Sequence, residues 1–448
     1  MWPTAADAAL LTDLYELTMS ASYFAQDMGD QEATFDLFIR EVPKPRNFLV
    51  AAGLEDALDY LETLHFDDEA LGYLRSLDMF SEEFLGHLGK LRFSGDVWAI
   101  PEGEIFFAGE PVLRVTGPLV QAQLVETFLI NCVAFQSMVA SKAARVNIAC
   151  RDCQFVDFSL RRDHGADAGL KAARAAYIGG ASATSNVLAG KRYGIPVSGT
   201  MAHSYVMSFP SEEEAFRAYA REFPNRAILL IDTFDVEEGA RRAALVANDL
   251  ASEGVQVKGV RIDSGDVATL ARSVRKILDE AGLHTVQIIL SGDMDEYRIK
   301  QILDEGAPVD AFGVGTQLGT SGDAPFLGGV YKLVHDEQGP KVKLSVGKVT
   351  LPGRKQIYRE ERGGVYQRDV IALEDEHLDG RPLLSKVLEG GRRVDDPEPL
   401  DEMRQRCAAG ITRLPERLHS LEQASPPYPV DLSERLTALA DSMKAEAR

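Results

Sequence analysis

A chain of 448 residues is long enough for two or three domains and a large core. Apolar residues make up 45% and charged residues 26%, as in ordinary globular proteins. The formal net charge of -21 argues against a nucleic-acid groove or an anionic membrane surface as a partner.

The opening segment, MWPTAADAALLTDLYELTM, has no basic stretch and carries Asp7, Asp13 and Glu16, so it does not read as a signal peptide. Residues 10–24 have helical spacing, 33–39 alternate as a strand, and 54–64 and 82–91 are helical. Residues 97–115 read as two strands around the turn Phe107-Ala108-Gly109-Glu110-Pro111. The apolar stretch 120–149 is interrupted by Gln121, Glu126, Asn131, Lys142 and Arg145, which predicts a buried amphipathic helix and no membrane span. A cytoplasmic protein is expected. The four cysteines are too few for a disulfide framework, and Cys150 and Cys153, though at redox spacing, lack the second pair that zinc needs.

Between Asp152 and Thr316 one unit repeats six times: a short apolar run, a polar segment, then a helix-like stretch. The runs begin near positions 153, 195, 227, 255, 286 and 309. They lead into Ser159-Leu160-Arg161-Arg162, His203-Ser204, Asp232, Asp263-Ser264-Gly265-Asp266, Ser291-Gly292-Asp293 and Gly313-Val314-Gly315-Thr316. Polar carboxyl ends on strands that feed helices are how α/β enzymes build sites. In an open sheet such ends converge mainly at one switch point, whereas in a barrel they all face one mouth. Chemistry at nearly every end therefore predicts an irregular, incomplete α/β barrel. Beyond Gly329 antiparallel strands are expected at 330–334, 342–345, 356–358 and 364–366, then helices at 400–421 and 432–447, interrupted by Pro426-Pro427. The predicted organisation is an N-terminal α+β domain with a connecting helix (1–150), the barrel (151–335), and C-terminal hairpins and helices (336–448) that pack with the N-terminal domain.

The strand ends suggest particular chemistry. The glycines of Gly313-Val314-Gly315-Thr316 let backbone N–H groups approach a phosphate, although a plain Gly-rich turn is the simpler alternative. Alternation puts Arg261 and Asp263 on one strand face and Lys258 on the other, and Asp263 with Asp266 suits ribose hydroxyls or Mg²⁺. Ser264 or Asp263 could equally cap the next helix. Arg161-Arg162 could clamp a carboxylate or phosphate, or be a solvated charge run. His203, beside Ser204 at a strand mouth, reads as catalytic.

At these residues the chain resembles the nicotinate phosphoribosyltransferase family. The resemblance is carried by LLTDLYELTM (10–19), FLVAAGLEDAL (48–58), GEPVLRVTGPL (109–119), the run TSNVLAGKRYGIPVSGTMAHS, GVRIDSGD, FGVGT, GGVYKLV and LPGRKQIYR. It implies a barrel of the type II phosphoribosyltransferase kind, with an α+β domain built from both termini. It implies an ATP-assisted, Mg²⁺-dependent reaction of nicotinate with 5-phosphoribosyl 1-pyrophosphate, giving nicotinate mononucleotide and pyrophosphate for NAD synthesis. By that resemblance His203 is transiently phosphorylated by ATP. Arg161 and Arg261 hold the carboxylate and phosphates, and Asp263 and Asp266 meet ribose hydroxyls, Mg²⁺ or pyrophosphate. Gly292, Asp293, Gly315 and Thr316 bind the 5-phosphate and ribose, with Lys142, Lys332 and Lys355 as further phosphate candidates. The active site would lie at a homodimer interface, with Tyr15 from the partner subunit stacking the pyridine ring against Phe158. Nicotinamide-using relatives carry an Asp in the segment 183–186; Ser185 in its place favours nicotinate, as does Arg162, and nicotinamide is the alternative substrate. Asp323, in the loop 320–325, departs from the basic residues expected there.

Overall fold

The computed structural model describes residues 5–344 and 350–446. The chain divides into two compact units, Met1–Ser141 with Ala324–Arg448, and Lys142–Asp323. The joins fall inside the long helix and just before Ala324, whereas the sequence reading placed them at 150 and 335.

The Lys142–Asp323 unit carries six parallel strands: Gln154–Asp157, Ala183–Thr184, Ile228–Leu230, Gly259–Ile262, Gln287–Leu290 and Ala311–Val314. In chain numbering their spatial order is second, first, sixth, fifth, fourth, third, so the sheet curls as part of a barrel and is left unclosed between the second and third strands. The central strands are nearly all buried, as expected when helices cover parallel strands. Three successive helices begin on an aspartate whose carboxylate accepts a backbone N–H. Asp235 takes that of Glu238 at 2.9 Å, Asp266 that of Thr269 at 3.4 Å and Asp295 that of Arg298 at 2.8 Å. Each such cap contributes about 1 kcal/mol. Asp266 is thus the cap of helix Val267–Glu280, in place of the Ser264 or Asp263 that the sequence suggested.

One predicted strand is corrected. The run beginning at Ile195 pairs only through Val197, which bridges Thr184; the second strand is Ala183–Thr184 itself. Thr184 donates to the Pro196 carbonyl and accepts from the Ser198 N–H, both at 3.0 Å. Pro196 has no N–H with which to extend the ladder, and the segment after it remains irregular to His203.

The other unit is α+β and draws on both ends of the chain. Its seven-stranded antiparallel sheet places Glu32–Ile39 between Gly329–Asp336 and Pro111–Pro118. A four-stranded sheet centres on the hairpin Lys355–Arg362 and Val365–Leu373. The predicted helices appear as Leu14–Ala25, Leu54–Thr63, Glu82–Lys90, Leu400–Arg413 and Glu434–Glu446. The expected strand at 342–345 does not form over 342–344, where the short strand Gly339–Pro340 instead precedes it, and Ser345 lies outside the described residues. The long helix is Glu126–Cys150, preceded by Leu119–Leu124. Among the described residues no helix is long and apolar enough to cross a membrane.

Candidate active site

At the carboxyl ends of the parallel strands lies a cavity of about 550 Å³. Phe158 and Arg161 reach it from the segment after the first strand, Ser185 from after the second, and Arg261 and Asp263 from the fourth. His203 and Ser204 line it from the segment crossing the open side of the sheet, together with Thr200 and Met201.

Arg261 is the hub. Its Nε donates to Ser291 Oγ at 2.8 Å, Nη1 to Thr200 Oγ1 at 2.8 Å and to the Met201 carbonyl at 3.3 Å, and Nη2 to Asp263 Oδ1 at 2.8 Å. Its guanidinium carbon lies 5.6 Å from the centre of the Phe158 ring, within cation–π range. Ser291 Oγ in turn donates to Asp263 Oδ1 at 2.5 Å. Burial pushes the Asp263 carboxyl up, but hydrogen bonds from Ser291 and Arg261, with the charges of Arg261 and His203, outweigh it and hold the group below the ordinary carboxylate range.

His203 is half-buried at the start of helix His203–Met207, with Nδ1 3.2 Å from Thr233 Oγ1, which orients the ring. Asp232, at the end of the third strand, accepts from the Asp263 N–H at 3.0 Å and from Ser264 Oγ at 2.7 Å. The third and fourth strand ends are thereby tied together.

The segment 183–186 resolves by burial. Ser185 alone of the four lines the cavity. Thr184 is buried and donates to Asp157 Oδ2 at 2.7 Å, and Asn186 caps the helix Val187–Tyr193. Arg161 is exposed at the cavity; Arg162 is exposed but does not line it.

Other predicted residues lie outside the cavity lining. Gly292, with φ +85, and Asp293, with φ +46, follow the fifth strand; Gly315 and Thr316 follow the sixth. Strand order sets these loops between the first and fourth strands, which carry Phe158 and Arg261. A Cβ on Gly292 would lie 1.9 Å from the Asp263 carbonyl oxygen, so only glycine permits that approach. Asp266 is exposed and spends Oδ1 on its helix cap. Tyr15 belongs to the other unit, on helix Leu14–Ala25, and is 48% exposed.

Lys142 and Lys355 are corrected as phosphate candidates, because both are buried in ion pairs. Lys142 Nζ meets Glu296 Oε2 at 2.5 Å and Asp323 Oδ1 at 2.9 Å, while Arg145 holds the other Glu296 oxygen. This also explains Asp323: it neutralises a buried cation. Lys355 Nζ lies 2.8 Å from Asp36 Oδ2. Lys332 is half-buried, 3.5 Å from Glu126. Burial raises the thiol pKa of both Cys150 and Cys153, which works against thiolate chemistry there. No role was expected for Thr200, Thr233 or Ser291; the signal available was that Thr233 and Ser291 follow strand ends, whereas Thr200 lies in the irregular segment before His203.

Family models described as the nicotinate phosphoribosyltransferase (NAPRTase) N-terminal domain, family and C-terminal domain match residues 10–134, 153–325 and 377–440. A nicotinate phosphoribosyltransferase of Mycobacterium tuberculosis is 46% identical over 96% of this chain and 92% of its own length. The chain belongs to the nicotinate phosphoribosyltransferase family. A nicotinate phosphoribosyltransferase of Bacillus subtilis is 43% identical, covering 84% of this chain and 78% of its own. The crystal structure of human nicotinic acid phosphoribosyltransferase superposes with a TM-score of 0.85 at 31% identity, over 97% of this chain and 99% of that one. Within this family fold, the curled parallel sheet and the separate, largely antiparallel sheets follow the architecture expected from sequence.

Among the described residues, no group of three or more His, Cys, Asp or Glu side chains is placed to hold a metal ion. A magnesium ion that arrives with a pyrophosphate needs only one or two carboxylates. Asp263 fits that need, since both of its named bonds fall on Oδ1.

Proposed function

We propose that this chain transfers the phosphoribosyl group of 5-phosphoribosyl 1-pyrophosphate to nicotinate, a step of NAD biosynthesis. The observation that carries the reading is the cavity in which an aromatic ring, two arginines, a histidine and a carboxylate meet, in a chain of this family. The pyridine nitrogen supplies its own lone pair, so the C1–N bond forms as the C1–O bond to pyrophosphate breaks and no general base is needed. The protein's task is to align ring nitrogen and anomeric carbon, which is worth about 7–11 kcal/mol of barrier, and to stabilise the departing charge.

In this reading Phe158 supplies one face for the pyridine ring and exposed Arg161 pairs with its carboxylate. Ser185, neutral and small, admits that carboxylate where an acidic side chain would repel it. Arg261 and Asp263 receive the phosphoribosyl group, and the backbone after the fifth and sixth strands, Gly292-Asp293 and Gly315-Thr316, takes the 5-phosphate. Mg²⁺, held by Asp263 with Asp266 alongside, would offset the negative charge of the leaving pyrophosphate.

His203 couples the reaction to ATP. An imidazole nitrogen attacks the γ-phosphorus, the bond to ADP breaks, and hydrolysis of the phosphohistidine drives the transfer forward. Tyr15 of the partner subunit closes the second face of the pyridine ring in a homodimer. Incubation with γ-labelled ATP tests the histidine step: wild type should acquire acid-labile, base-stable label that His203→Ala lacks. Equal labelling of the variant would remove His203 from the step.

A further inference from the structure

The Arg261–Asp263 pair is held by a third group that the reaction does not call on directly. Ser291 is 2% exposed at the carboxyl end of the fifth strand, beside the fourth strand that carries the pair. Its backbone N–H is already spent on the Ile262 carbonyl at 2.9 Å, which leaves the hydroxyl to act separately. A hydroxyl has one proton to give and two lone pairs to receive with. A guanidinium can only donate and an ionised carboxylate can only accept, so the directions are fixed. Arg261 Nε–H donates to Ser291 Oγ, and Ser291 O–H donates to Asp263 Oδ1. Arg261 Nη2–H closes the ring onto the same Asp263 oxygen. Such closed chains polarise one another and strengthen.

We propose that Ser291 is a positioning residue that locks Arg261 and Asp263 into one rigid donor–acceptor unit for the phosphoribosyl substrate. The claim rests on the reading of the cavity as the phosphoribosyl-transfer site. Two neighbours show that the serine sits in a built position. A Cβ on the next residue, Gly292, would lie 1.9 Å from the Asp263 carbonyl oxygen, so the fifth strand end is packed against the fourth without slack. A Cβ on Gly313, one strand further on, would be 3.2 Å from Ser291 Cβ. On the far side of Arg261, Thr200 and Met201 occupy Nη1, so with Ser291 on Nε and Asp263 on Nη2 all three guanidinium nitrogens are held. Its orientation also sets what faces the Phe158 ring.

The test compares wild type, Ser291→Ala and Ser291→Cys, each first checked for an unchanged melting transition. Measured are KM for 5-phosphoribosyl 1-pyrophosphate, KM for nicotinate, and kcat. Ser291→Ala should raise the KM for 5-phosphoribosyl 1-pyrophosphate about tenfold, as for loss of a hydrogen bond to charged groups, with a smaller change in kcat and in the KM for nicotinate. Ser291→Cys, with a weaker donor, should fall between the two. A folded Ser291→Ala enzyme with that KM unmoved, or with both KM values raised alike, would overturn the proposal; if that variant fails to fold, Ser291→Cys decides on the same readouts. Wild type with no turnover of nicotinate would instead overturn the underlying reading, so the two failures are distinguishable.

Discussion

At the residue scale, the site turns on how few side chains are left to meet a substrate once the scaffold has taken its share. Thr184 and Asn186 serve Asp157 and a helix cap, which leaves Ser185 as the member of its segment that lines the cavity. A carboxylate placed there should repel a carboxylate substrate by like charge in a partly desolvated site. Ser185→Asp is expected to raise KM for nicotinate at least about tenfold, and to raise that for nicotinamide less. Steady-state kinetics with both pyridines check it, and equal effects on the two would refute the role of Ser185. Arg161, His203, Ser204, Arg261 and Asp263 were legible as chemistry read at a strand's carboxyl end, and Phe158 and Ser185 through the family resemblance; all meet at one cavity. Residues whose role depends on a partner far away in sequence were not. Lys142, a phosphate candidate by resemblance, is instead paired with Glu296 and Asp323, more than 150 residues on and invisible to local pattern. Lys355 was misread for the same reason, its partner Asp36 lying on another strand of the same unit.

At the element scale, the six apolar runs were readable because buried parallel strands need continuous apolar sequence. The second run misled because Ile195 and Val197 look like strand residues, while Pro196 permits only one rung of pairing. Glycine at the sixth strand has a specific cause. A Cβ on Gly313 would lie 2.5 Å from two atoms of the Phe158 ring, closer than any real contact. The strand thus makes room for the ring, and the ring in turn faces Arg261. Gly313→Ala should force Phe158 out of place, destabilise the protein by about 1–3 kcal/mol as overpacking does, and weaken nicotinate binding. Thermal melting and nicotinate titration check both parts; an unchanged affinity would show that Phe158 does not contact the pyridine.

At the scale of the whole molecule, both ends of the chain enter one sheet, because Glu32–Ile39 lies between Pro111–Pro118 and Gly329–Asp336. The mixed elements before 118 and the antiparallel pattern after 329 signalled an α+β unit, but nothing local to either could specify that interleaving. The largest consequence of the proposed homodimer concerns Tyr15. If each site draws Tyr15 from the partner subunit, Tyr15→Ala and Asp263→Ala chains co-expressed should complement. Half of the dimers are then mixed, and each mixed dimer retains one intact site of two, giving about a quarter of wild-type activity at low nicotinate. Activity no higher than that of the separate variants would place Tyr15 elsewhere. The most direct test of the account is product formation from 5-phosphoribosyl 1-pyrophosphate with nicotinate and, separately, with nicotinamide, each with and without ATP and Mg²⁺. The account predicts nicotinate mononucleotide formed in preference and increased by ATP; preference for nicotinamide, or no product from either pyridine, would contradict it.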